Sequence, residues 1–77
     1  MTENIANLVS ALRQELEQYG EMLVLLERQQ QQIGARSADE VYQSIGPVKR
    51  QGLAIQKART HREECRAQLA QALQRAR

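Results

Sequence analysis

His61 and Cys65 stand four residues apart, a spacing that brings two side chains together on one face of a helix. A thiolate beside an imidazole is a nucleophile with its base. Such a pair catalyses only with a pocket, donors for an oxyanion and usually a third group that orients the base. Two ligands also make a poor metal site. The pair therefore reads as a small seam cysteine beside a surface histidine. Glu63–Glu64 and Glu15/Glu17 read as solvated helix faces, because acid–base work needs surroundings that push two carboxyl pKa values apart. The basic run Lys49, Arg50, Lys57, Arg59, Arg62 and Arg66 could meet phosphates. No aromatic residues interleave with it for base stacking, so it reads first as a face that pairs with acidic side chains. These residues assign no catalytic group, metal, cofactor or small-molecule substrate.

Whatever these residues do, few elements are there to hold them. The chain has 77 residues with 11 Lys+Arg, 9 Asp+Glu, one His, one Cys, one Pro, two Tyr and neither Trp nor Phe. That is one small domain, residues 1–77, too short for an α/β enzyme or a barrel. At this size a single core is marginal without disulfides, a metal or a partner. One cysteine excludes an internal disulfide and no Cys/His cluster suggests zinc, which leaves association. Gln (12), Ala (10) and Leu (9) dominate, mostly strong helix formers. No run of 18 apolar residues would span a membrane. The first residues lack the basic and apolar regions of a secretory signal, and a lone thiol suits a reducing compartment, so the expected location is the cytoplasm.

Two helices follow from the pattern. Thr2 can cap the first, Glu3 suits its positive end and Gly34 ends it, which predicts a helix over 2–33. Ile5, Leu12, Tyr19, Leu26 and Ile33 form one heptad row; Val9, Leu16, Leu23 and Gln30 form the other. Together they read as a coiled-coil seam. Leu8 and Met22 widen it on one side, while Val24 and Leu25 lie further round. Gly20 marks either close approach of another backbone or a tolerated cost of about 1 kcal/mol. After a turn at 34–37, Ser37–Ala38–Asp39–Glu40 has capping-box spacing and starts a second helix.

That second helix meets Gly46–Pro47, where a kink or a break is expected. Val41, Val48, Ile55, Arg62 and Leu69 keep one heptad register across Pro47, with Ser44, Gln51, Ala58, Cys65 and Ala72 beside them. The retained register predicts one kinked helix over 38–75. A short helix to Ile45 followed by another started at Pro47 is the alternative. Residues 1–34 carry a net charge of −3, residues 35–46 of −1 and residues 47–77 of +6, so folding the acidic helix back on the basic one is favourable. The fold class is all-α: an antiparallel, coiled-coil-like helical hairpin, completed into a bundle by a partner or by self-association.

The run Leu8, Leu12, Glu15–Leu16, Tyr19, Met22–Leu23, Leu26–Glu27–Arg28–Gln29 resembles the first helix of the FlgN-type flagellar export chaperones. Asp39–Glu40–Val41 resembles that family's entry to the returning helix, and Lys49, Leu53, Arg62 and Leu69 fall where that helix shows Lys, Leu, Arg and Leu. Gly46–Pro47 departs from it. The length and the Val41–Tyr42–Gln43 stretch also resemble the small two-helix co-chaperones of bacterial type III secretion. Both resemblances imply a non-enzymatic export chaperone that shields an aggregation-prone helical client. The helix pattern implies, by a separate route, a protein-interaction module with apolar groove to spare. A hairpin covers each seam on one side only, so Leu8, Tyr19, Met22, Leu25 and Leu26 are the expected partner-binding residues, with Leu8, Met22 and Leu25 left open. The expected partner is a helical client protein or a second copy, not a membrane. The alternative is a homodimeric helical regulator that binds structured RNA through the basic helix.

Overall fold

The computed structural model describes residues 1–34 and 38–76, with the side chains of 1–31, 38–39, 42–43 and 45–76. Two helices make up the molecule, α1 (Thr2–Gly34) and α2 (Ala38–Arg75), packed on one another as an antiparallel hairpin. Glu3 lies in the first turn of α1 and Arg75 in the last turn of α2, each at the dipole end its charge favours. The helix limits agree with the sequence reading to within one residue. The expected turn at 34–37, and with it the Ser37 cap, falls on residues 35–37, outside the described residues. α2 runs through Pro47 as one helix, so the two-helix alternative is set aside. The proline forgoes the hydrogen bond its own N–H would have made to the carbonyl of Gln43.

From Val48 onward the α2 seam is the one its heptads predict; the side chains of Val41 and Ser44 lie outside those described. Ile55 and Cys65 are buried, and Val48, Gln51, Ala58, Arg62, Leu69 and Ala72 are half-buried. The α1 seam is not the expected one. Its inward residues are Asn4, Leu8, Ala11, Glu15, Gln18, Met22, Leu25 and Gln29, a strict four–three alternation displaced by one residue from the leucine-rich rows. Leu8, Met22 and Leu25, expected to stay open, are therefore half-buried against α2. Ile5, Val9, Leu12, Leu16, Tyr19, Leu23 and Leu26, expected to form the seam, are exposed.

Polar residues explain the displacement. Arg62 occupies a seam position of α2 and cannot be shielded from water without a carboxylate. Its Nε donates to both oxygens of Glu15, at 3.2 and 3.3 Å. Gln51 Nε2 donates to the Gln18 carbonyl oxygen and to Gln18 Oε1, each at 2.8 Å. Both α1 partners lie on the inward rows, so these bonds fix which face of α1 turns to α2. The interior is correspondingly thin: among the described residues only Ala11, Ile55 and Cys65 are buried. Ala11, 1% exposed, lets the helices approach. The result is a rod of 61 × 14 × 12 Å between Cα atoms. Its radius of gyration is 17.8 Å, against about 11 Å for a compact domain of this length.

Candidate functional site

The open face of the hairpin is built by α1. Ile5, Leu12, Tyr19 and Leu26 recur every seven residues, as do Val9, Leu16 and Leu23. Seven apolar side chains thus line one stripe about 32 Å long at the helical rise. Leu16 is 69% and Leu23 61% exposed. A scattered surface leucine needs no explanation, but a contiguous helical row does. None of the seven positions carries a charge.

One edge of the stripe is the flank of α2. The Arg59 guanidinium donates a hydrogen bond to the Tyr19 hydroxyl and lies 4.0 Å from Glu15. The Tyr19 contact and the nearby Glu15 charge hold its pKa above the ordinary arginine value. Arg59 shares a heptad row with Ile45, Gly52, Arg66 and Leu73, so this row borders the stripe, basic in its middle and apolar at both ends. Ile45 and Leu73 are exposed. Arg66 Nε donates to Glu63 at 2.7 Å and Arg62 Nη1 to the same carboxylate at 3.0 Å. Those two guanidinium groups, Arg66 first, hold the Glu63 carboxyl below the usual carboxylate range. Three of the six residues in the basic run are thus engaged with Glu15, Tyr19 or Glu63.

The opposite edge of the stripe, away from α2, is Ala6, Arg13, Gly20 and Glu27. A Cβ built on Gly20 would meet nothing within 4 Å, so no backbone of the hairpin approaches there.

Of the five residues expected to bind a partner, the structure leaves Tyr19 and Leu26 on the open stripe and turns Leu8, Met22 and Leu25 inward. The sequence reading missed Leu12, Leu16 and Leu23 as open residues because it had spent them on the internal seam. Arg62 was the signal that could have found them. An arginine on a seam needs an acid at the facing level, and Glu15 selects the row one residue before Leu16.

Cys65 and His61 do come together, with Sγ 3.8 Å from Nε2. The thiol is buried and faces a shallow hollow shared with Asn7, Ser10, Glu64 and Gln68. Among the described residues no three His, Cys, Asp or Glu side chains are gathered as a metal would need, and no helix is long and apolar enough to cross a membrane. No protein-family model matches the chain, and no curated protein or solved structure is significantly similar to it.

Proposed function

We propose that this chain is a non-enzymatic, cytoplasmic protein-binding module whose open α1 stripe receives the apolar face of an amphipathic helix. The observation that carries the reading is the strict heptad spacing of seven exposed apolar residues on a hairpin with three buried ones among the described residues. Helix-in-groove recognition uses anchors at that spacing. Each side chain is about half exposed, so covering it recovers on the order of 1 kcal/mol, half the value of a full burial. The stripe then offers about 5–10 kcal/mol, comparable with the roughly 4–15 kcal/mol that association costs. Only a partner that uses most of its length binds. A long helix does so and a small molecule does not.

The resemblance of α1 to the export chaperones supports a finer version: the partner is an aggregation-prone helical subunit held for flagellar or type III export. The RNA-binding alternative is weaker, because Arg59, Arg62 and Arg66 already have partners and the aromatic ring beside them, Tyr19, is itself engaged by Arg59.

The test is fluorescence anisotropy with a labelled amphipathic helical peptide carrying leucines at heptad spacing. Wild-type protein should bind it, and Leu16→Gln with Leu23→Gln should weaken binding at least tenfold while circular dichroism stays helical. Equal binding by the variant, or no binding by either protein, would remove the stripe as a docking face.

A further inference from the structure

The stripe calls for an apolar helix, and α1 is itself such a helix. Resting on the reading of the stripe as a docking face, we propose that in the absence of a client its occupant is α1 of a second copy. The two α1 helices lie antiparallel, and two hairpins close into a four-helix bundle.

Surface area is the first argument. The chain exposes 6101 Å², whereas a compact monomer of 8.8 kDa exposes about 4,800 Å² by the size scaling of folded proteins. The excess, roughly 1,300 Å², exceeds the approximately 800 Å² per partner that a standard specific interface covers.

Self-complementarity is the second. Read backwards, the stripe repeats its own alternation of three- and four-residue steps. An antiparallel copy sets Leu16 against Tyr19, Leu12 against Leu23 and Val9 against Leu26. Two-fold symmetry makes each of these contacts twice.

The experiment is the molar mass of the full chain by light scattering and sedimentation, from about 1 to 100 µM, with circular dichroism of every variant. Wild-type protein should reach twice 8.8 kDa. Leu16→Gln with Leu23→Gln should return it to one chain mass with its helices kept. A monomer throughout that still binds the amphipathic peptide overturns the second-copy proposal and leaves the docking face standing. A monomer that binds no peptide overturns both. A dimer indifferent to the leucine changes overturns the proposal by placing the interface elsewhere.

Discussion

Glu15 and Arg62 offer the sharpest test of why this hairpin packs as it does. Their side chains are 13% and 24% exposed, shielded far more than an ordinary surface pair. At 3.2 Å and an effective dielectric near 20, the gross attraction is about 5 kcal/mol. Desolvation and side-chain ordering offset most of it. Arg62 also keeps Glu63 as a second partner, so Glu15→Ala should cost about 1–2 kcal/mol. In a chain of this size that corresponds to a fall in melting temperature of roughly 5–15 °C. Thermal and urea unfolding followed by circular dichroism reads it, at one fixed protein concentration because association shifts apparent stability. The loss should shrink in 1 M salt. The companion variant is the more demanding one. Glu15→Leu with Arg62→Leu continues the apolar rows Leu8–Met22 and Ile55–Leu69, and replacing a shielded ion pair by packed hydrophobes is neutral or stabilising. The double variant should therefore melt at or above the wild type although each single alanine variant melts below it. If Glu15→Ala and Arg62→Ala were both silent and additive, the pair would be solvated decoration, and the account of the α1 seam would fail with it.

Gly52→Ala should raise stability by about 1 kcal/mol, since a Cβ there meets nothing within 4 Å and alanine is the better helix former; denaturant midpoints read this directly. Acid should loosen the hairpin partly through Glu63. Its carboxyl pKa is lowered in the fold by Arg66, so its contribution is complete above the unfolded value and disappears as pH falls through the folded one. Glu63→Gln should leave a shallower pH dependence of melting below about pH 5 and little change near neutrality. A steeper acid slope in that variant would refute the sign.

Much of this fold is written in periodicity. The two helices, their limits and the α2 seam are set by local propensity and by one heptad register that Pro47 does not break. The α1 seam shows where apolar weight misleads. Counting leucines selects Leu12, Leu16 and Leu23 as the inner row, but α2 offers Arg62 and Gln51 on its seam, and those need Glu15 and Gln18. Pairing rules across the hairpin outrank hydrophobicity along one helix. The open face was legible as a need for a second contact, while its position was not, because that depends on which of two adjacent stripes the polar residues claim.

Those two stripes differ by one residue, which is a turn of α1 by about 100° about its own axis. The same helix therefore carries a second, greasier way to sit on α2. What blocks that rotamer of the whole helix is electrostatic: the leucine register would carry Glu15 away from α2 and strand Arg62 without its carboxylate. The ion pair acts as a detent, weak in net stability yet decisive between two nearly matched orientations. Neutralising Arg62 and Glu15 together would leave the Gln51–Gln18 bonds to hold α1 in its present register against the pull of its leucines.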